Sequence, residues 1–171
     1  ELDQQLTLKE LVEELTVHTR VTLREEETGL EVMPQDIGVG ISQLFPVVVL
    51  TIVQDSGLIA IEQPELHIHP AIQVELADLF ARYAIEHNKL MLLETHSEHV
   101  MLRLLRRIRE EPGEDEEAHA QHLSKDNVSV VYVQFTAEGT EFKRLHVDDS
   151  GDFLDEWPEG FFDERDKELF F

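Results

Sequence analysis

Two short apolar runs on either side of one amphipathic segment dominate the hydrophobic pattern of the chain. Residues 58–61 and 90–93 are continuous aliphatic runs of the length expected for buried strands. Between them, residues 70–87 carry apolar side chains at helical spacing, and Pro70 is well placed to open a helix. Strand, helix and strand of these lengths predict a right-handed βαβ unit with two parallel strands.

Weaker patterns predict the other elements. Residues 44–53 form an apolar run that we interpret as a helix, because Pro46 is tolerated in a first helical turn and poorly in a central strand. Further periodicities predict two helices, at 6–15 and 98–109, and two hairpins, built from 16–23 with 30–33 and from 128–135 with 142–147. The pattern as a whole predicts an α/β fold.

Both predicted parallel strands end on polar residues. Glu62 and Gln63 follow the first strand, with Glu65 two residues further on, and His96 follows the second strand. Parallel strands joined by one helix have their carboxyl ends at the same edge of the sheet, where open α/β folds bind ligands. We therefore expect Glu62 and Glu65 to lie beside His96, and we take this edge as the candidate active site.

A loop with two glycines precedes the apolar run at 44–53. Gly38 and Gly40 allow a backbone to approach a ligand closely. Ser42 is predicted to cap the following helix, whose first N–H groups and positive dipole end favour an anion. Taken alone, a loop of this composition is most often a plain turn.

Charge and composition limit the partners. The 37 acidic and 14 basic residues give a formal net charge of -23, which repels nucleic-acid backbones and anionic membranes. We therefore expect no direct nucleic-acid binding by this chain. The absence of cysteine excludes disulfides and thiolate chemistry and suits a reducing cytoplasm. The longest apolar run, residues 44–53, is far shorter than the roughly 20 residues of a membrane helix.

These residues resemble three motifs of ABC-type ATPase heads. Gly38-x-Gly40-x-Ser42-Gln43 resembles the signature motif, residues 58–65 resemble Walker B with the D-loop, and residues 95–97 resemble the switch histidine. The order and spacing are similar to those of the group containing the RecF, SMC and OLD (overcoming lysogenization defect) ATPases. The E-x-P-E-x-H-x-H-P form and the W-P-x-G-F-F-D-E tail are most similar to the OLD-like branch that lacks a Toprim nuclease domain.

The resemblance covers residues 36–165 and implies an architecture. It implies the carboxyl-terminal half of a P-loop NTPase, an ABC-type head, with parallel strands, flanking helices and β-hairpins. In such a head, Glu62 would take the place of the Walker B acid and hold Mg²⁺, and His96 would contact the γ-phosphate of ATP. The signature-like residues would contact ATP bound to a second subunit, in a homodimer with two sandwiched ATP molecules: Gly38, Gly40, Ser42 and Gln43.

Gln63 departs from the family pattern, because a glutamate that acts as the catalytic base is usual at its position. A neutral amide cannot accept a proton, yet phosphoryl transfer depends mainly on positioning and charge neutralisation. Gln63 would then orient the attacking water and turnover would be slow, or Glu65 would supply the base. Both alternatives remain open from the sequence.

A second departure is that no G-x-x-x-x-G-K-S/T loop occurs in the sequence. In the resembled family this Walker A loop lies in an amino-terminal lobe upstream. We therefore expect a lead-in helix and hairpin at 1–35, the ATPase carboxyl-terminal lobe at 36–147 and an acidic, aromatic tail at 148–171. The chain alone is expected to be inactive. An intact head would drive an effector protein, in a process such as DNA repair or antiphage defence.

Two other classes of function compete with this interpretation. Glu65, His67 and His69 alternate along an extended segment and, with His96 and His99, predict a metal site suited to zinc or iron in a hydrolase. Alternatively, Gln63 marks a domain that binds nucleotide without hydrolysing it and serves as a nucleotide-gated interaction module.

Overall fold

The computed structural model describes residues 21–54, 57–111 and 122–156. The chain divides into two compact units, Glu1–Gly38 and Val39–Phe171. In the first unit, β1 (Leu23–Arg24) pairs antiparallel with β2 (Glu31–Val32), and a 3-10 turn follows at Pro34–Asp36. The predicted hairpin is confirmed, although each strand pairs over only two residues. The helix predicted at 6–15 lies outside the described residues.

The second unit contains the predicted βαβ arrangement. Strand β3 (Leu58–Glu62) pairs in parallel with β4 (Leu90–Glu94), from Leu58 opposite Leu90 to Glu62 opposite Glu94. Helix α2 (Pro70–Glu86) connects the two strands, and α3 (Glu98–Arg109) follows β4. The α/β class and the parallel pairing predicted from the hydrophobic pattern are therefore confirmed.

Helix α1 (Val39–Val53) begins five residues earlier than predicted. Ser42 therefore lies within the first turn of the helix and is not its cap, and Pro46 lies in the helix interior and not in its first turn. Those two predictions were wrong. Gly38 adopts a φ of +119°, which glycine tolerates, and the helix starts directly after it. The sequence concealed this start because Val39 and Gly40 are weak helix formers.

Helix α2 packs against both hydrophobic clusters of the second unit. The first cluster has Ile68, Leu76 and Phe80 at its centre, with partly buried side chains from α1 and from the inner face of the β3–β4 sheet around them. The second cluster centres on Ala81, Leu105, Ile108 and Leu123 and joins α2 to α3 and to the segment after it. Because α2 contributes to both clusters, packing fixes the positions of the strand ends and of the starts of α2 and α3.

The other face of the β3–β4 sheet is apolar and exposed. Ile59 on the inner face is only 2% exposed, whereas Leu58, Leu90 and Leu92 on the outer face are 59%, 67% and 62% exposed. Parallel sheets are almost always covered on both faces. Within the described residues, this outer face is as apolar as a buried surface, but it is exposed to solvent.

Buried Lys89 ties the end of α1 to the start of β4. Its Nζ atom donates to the Thr51 carbonyl at 2.6 Å and to the Ile52 carbonyl at 3.4 Å, and lies 4.7 Å from the centre of the Tyr83 ring. A cation at the carboxyl end of a helix satisfies carbonyl groups that have no partner within the helix. Lys89 thereby fixes the orientation of α1, whose amino-terminal end lies near the strand ends.

The second predicted hairpin is also confirmed. Strands β5 (Val130–Thr136) and β6 (Gly139–Leu145) pair antiparallel around a two-residue turn, which is shorter than predicted. Beyond β6, Val147 forms an isolated bridge with Phe153. The tail predicted at 148–171 is described only as far as residue 156. Among the helices described, none combines the length and apolar character that crossing a bilayer requires.

Candidate functional site

Two carboxylates lie side by side where β3 and β4 end. Glu62 and Glu94 are register partners on adjacent strands, and both are exposed. The Gln63 N–H donates to the Glu94 carbonyl at 2.8 Å, so the pairing continues one residue beyond β3. Neighbouring strands are about 4.8 Å apart, so the two acidic side chains share one small region. The site residues chosen from the sequence did not include Glu94, although it ends the second strand as Glu62 ends the first.

The turn from β3 to α2 carries backbone strain. Gln63 and His67 have φ values of +44° and +62°, in the left-handed region that side chains other than glycine rarely adopt. Each such residue costs on the order of 1 kcal/mol, and strained residues cluster at functional sites. The turn is closed by hydrogen bonds from Leu66 N–H to the Gln63 carbonyl at 3.1 Å and from Ile68 N–H to the Glu65 carbonyl at 3.3 Å.

The first turns of α1 lie against this strained turn. A Cβ atom at Gly40 would stand 2.3 Å from the His67 carbonyl oxygen, so only glycine fits there without a shift. The Gln43 Oε1 atom lies 2.9 Å from Nδ1 of His67. Two of the four predicted signature-like residues therefore contact the turn that follows Glu62. Gly38 belongs to the first unit and has a φ of +119°, which glycine tolerates.

A cleft of about 560 Å³ opens at this edge. Its polar lining comes from α1, from the ends of β3 and β4, and from the turn after β3: Ser42, Gln43, Glu62, Gln63 and Glu94. The cleft therefore contains two carboxylates and two side-chain amides. Four candidate residues predicted from the sequence, together with Glu94, therefore line one solvent-accessible cleft.

Glu65 and His96 lie beside this cleft and contact each other through a backbone group. The Glu65 side chain is buried, and its Oε1 atom accepts the His96 N–H at 2.8 Å. Its Oε2 atom is buried and has no hydrogen-bond partner in the described part of the chain. The His96 side chain is 72% exposed, with Nε2 3.8 Å from Oε1 of Glu94. The predicted proximity of Glu65 to His96 is therefore present in the structure.

Gln73 and Ser97 make a second connection between the same two loops. The Ser97 Oγ atom caps α3 by accepting the Val100 N–H at 3.1 Å, and it donates to Oε1 of Gln73 at 2.5 Å. The Gln73 Nε2 group donates to the Ile68 carbonyl at 3.0 Å and to the Glu65 carbonyl at 3.4 Å. The segment before α3 is thus anchored to the β3–α2 turn at two points. Gln73 could not be identified from the sequence, because a glutamine on an amphipathic helix is an ordinary surface residue.

The donor atoms at the edge fit a magnesium ion shared with phosphate groups. Mg²⁺ prefers oxygen ligands and is commonly held by one or two carboxylates together with substrate phosphates and waters. Glu62 and Glu94, which both line the cleft, provide that donor set. Their proximity also gives the protein a local negative charge that a divalent cation would neutralise.

The alternative metal centre is not formed. Within the described ranges, no group of three or more His, Cys, Asp or Glu side chains is arranged to hold a metal ion. His67 is hydrogen-bonded to Gln43, and Nδ1 of His69 accepts the Ala71 N–H at the start of α2. The alternation of Glu65, His67 and His69 is therefore explained by the strained turn and by the cap of α2. The predicted zinc or iron site was wrong.

Two protein families match the sequence in consecutive regions. A family described as "AAA domain, putative AbiEii toxin, Type IV TA system" matches residues 3–102, more than half of the chain. A family described as "Protein of unknown function (DUF3696)" matches residues 123–170. Neither the curated proteins nor the solved structures contain a significant match. The first match includes α1, the parallel strands and every residue that lines the cleft.

Proposed function

The chain belongs to the AAA-domain family that matches residues 3–102, and on this premise we propose that it forms the carboxyl-terminal lobe of an ATP-hydrolysing head of the RecF, SMC and OLD type. Membership makes it part of a P-loop ATPase-type domain, a class that generally binds ATP with Mg²⁺. The observation that carries the proposal is the cleft at the ends of β3 and β4, where Glu62, Gln63 and Glu94 meet Ser42 and Gln43.

In the proposed reaction, Glu62 holds the magnesium ion of MgATP, and Glu94 adds negative charge beside it. Gln63 lines the same cleft and orients the attacking water through its amide. The His96 ring, exposed at the same edge, contacts the γ-phosphate. Phosphoryl transfer requires alignment and charge neutralisation more than covalent chemistry, so an orienting amide in place of a carboxylate base is compatible with slow turnover once a further loop holds the phosphates. The bound Mg²⁺ supplies neutralisation of the phosphate charge.

The phosphate-cradling loop comes, in this proposal, from an amino-terminal lobe outside these 171 residues. The apolar outer face of the β3–β4 sheet supports it, because Leu58, Leu90 and Leu92 are exposed where a parallel sheet normally has a second layer. In this proposal the cleft lies at the interface of a homodimer with two sandwiched ATP molecules, and Ser42 and Gln43, on the α1 side of the cleft, contact the ATP held by the second copy. Dimerisation transmits the nucleotide state to an effector protein.

We expect the Glu62→Gln variant of the full-length protein to hydrolyse ATP about 100-fold more slowly than the wild type, because the neutral amide holds Mg²⁺ poorly. Steady-state phosphate release measures this. Glu75→Gln is the matched control, since Glu75 is an exposed acid on α2 and should leave the rate unchanged. Equal rates for Glu62→Gln and the wild type would contradict the proposed role of the cleft, and the 171-residue chain alone serves as an inactive blank.

A second candidate function is a nucleotide-gated module that binds ATP without hydrolysing it. The position of Gln63 in the cleft favours it, because an amide cannot accept the proton of water. In that case the wild type would dimerise with ATP and show no turnover, and Gln63→Glu would restore hydrolysis. Sedimentation with and without MgATP, alongside phosphate release, distinguishes the two functions. A monomer at saturating MgATP would contradict both.

A further inference from the structure

Glu65 is the one acid of the β3–α2 turn that is withdrawn from solvent. It is 9% exposed, whereas Glu62, three residues earlier, is exposed. The cleft is lined by its chain neighbours Pro64 and Leu66, and Glu65 is not part of that lining. Its carboxylate therefore points away from the space in which a substrate would lie.

The contacts of Glu65 are those of a structural acceptor. Its Oε1 atom accepts the His96 N–H at 2.8 Å, and its own carbonyl accepts Nε2 of Gln73. A general base must be within hydrogen-bond reach of the proton that it removes, directly or through one water. Glu65 uses one oxygen on a backbone amide and keeps the other buried, so no oxygen faces the cleft.

We propose that Glu65 is a positioning residue that locks the β4–α3 loop, and with it the His96 ring, to the turn that follows β3. The His96 N–H lies immediately before the cap residue of α3, Ser97. A carboxylate near the amino-terminal end of a helix interacts favourably with the helix dipole, and an N–H bond to a charged acceptor is stronger than one to a neutral acceptor. The catalytic consequence of this lock depends on the proposed ATPase function, whereas the lock itself does not.

Substitutions at position 65 distinguish a positioning role of Glu65 from the role of a general base. Glutamine at position 65 keeps a side-chain oxygen that can accept the His96 N–H, but it cannot accept a proton from water. Alanine removes both abilities. Aspartate keeps the carboxylate but shortens the side chain by one methylene, so the carboxylate no longer reaches the amide. The three variants therefore give different results for the two roles.

The first experiment measures amide hydrogen exchange at His96 by NMR in the 171-residue chain. We expect exchange at His96 to be at least about tenfold faster in Glu65→Ala and Glu65→Asp, because the hydrogen bond is lost, and only a few-fold faster in Glu65→Gln, which keeps a neutral acceptor. Glu75→Ala on α2 is the control and should leave His96 unchanged. Should Glu65→Ala fail to fold, Glu65→Asp decides. Exchange at His96 that is the same in all variants would overturn the proposal.

The second experiment measures ATP hydrolysis in the full-length protein. A positioning role predicts that Glu65→Gln retains kcat within a few-fold, while Glu65→Asp lowers kcat about tenfold with KM unchanged, because the His96 ring loses its position and nucleotide contacts remain. A loss in Glu65→Gln that equals or exceeds the loss in Glu65→Asp would overturn the proposal, and a clearly larger loss in Glu65→Gln would identify a base. If the wild type shows no turnover, the proposed function fails, and the exchange measurement still decides whether Glu65 locks the loop.

Discussion

Replacing Gly40 by alanine should lower the free energy of unfolding of the second unit by about 2 kcal/mol, as expected for overpacking against a backbone atom. The new Cβ atom would stand 2.3 Å from the His67 carbonyl oxygen and 3.3 Å from Cγ2 of Ile68. The closer contact cannot be relieved by rotating a side chain, because the His67 carbonyl oxygen is a backbone atom. Urea denaturation of wild type and variant measures the change.

This outcome is opposite in sign to the expectation from helix propensity. Alanine is favoured over glycine in a helix by up to about 1 kcal/mol, so a free helical Gly40 would gain stability from the substitution. Val39→Ala is the matched control, since Val39 is the neighbouring residue of α1 and is 61% exposed. A Gly40→Ala variant as stable as the wild type would show that α1 does not lie against the β3–α2 turn. The same variant should weaken the His67–Gln43 contact, which a shift of the His67 ring signals would report.

The parallel strands and the two helices that follow them could be predicted from the sequence because their apolar patterns are decided by burial. Phe80 is almost completely buried on the helix face that the periodicity indicates, and Ile59 is almost completely buried within its aliphatic run. Helix α3 occupies the predicted residues, since Ser97 is a good capping residue and the apolar stripe of the helix is regular. Two strand ends joined by one helix also placed Glu62 and His96 at the same edge.

The start of α1 and the orientation of Glu65 could not be predicted, because both are set by tertiary contacts. Gly40 lies in a helix despite its low propensity, since its missing side chain permits contact with His67. Glu65 and Glu62 are equally acidic in the sequence, yet one is buried on a backbone amide and the other is exposed. The left-handed conformations of Gln63 and His67 in the turn decide which of the two carboxylates faces the cleft. These conformations cannot be predicted from the sequence, because glutamine and histidine rarely adopt them.

A single aspartate joins the two helices that carry the site loops. Asp78 on α2 accepts from Nε and Nη2 of Arg103 at 2.9 and 2.6 Å, and from the same atoms of Arg107 at 2.7 and 2.9 Å. The Asp78 and Arg103 side chains are 19% and 17% exposed. Burial raises the pKa of Asp78, but the hydrogen bonds and charges of the two arginines outweigh it and lower this pKa from 3.8 to about 2.

The Asp78→Asn variant should therefore be less stable than the wild type at neutral pH by about 2 kcal/mol, as expected for a pKa shift of this size. Because the folded-state pKa lies below the ordinary value, the stabilising contribution is complete above about pH 5 and is lost as the pH falls through 4 towards 2. The difference between the unfolding free energies of wild type and variant, measured by urea denaturation at several pH values, should shrink over that interval.

Glu75→Gln is the control for this pH profile, because Glu75 is an exposed acid on the same helix and has no arginine partner among the described ion pairs. Taking the difference between the unfolding free energies of wild type and variant also removes the contribution of the other carboxylates, which both proteins share. Arg107 is 38% exposed, so solvent screens part of its attraction to Asp78. The difference in unfolding free energy between Asp78→Asn and wild type should therefore not exceed the value that the pKa shift of Asp78 implies. A difference between Asp78→Asn and wild type that stays constant from pH 7 to pH 2 would mean that the lost stability comes from packing and not from the charge of Asp78.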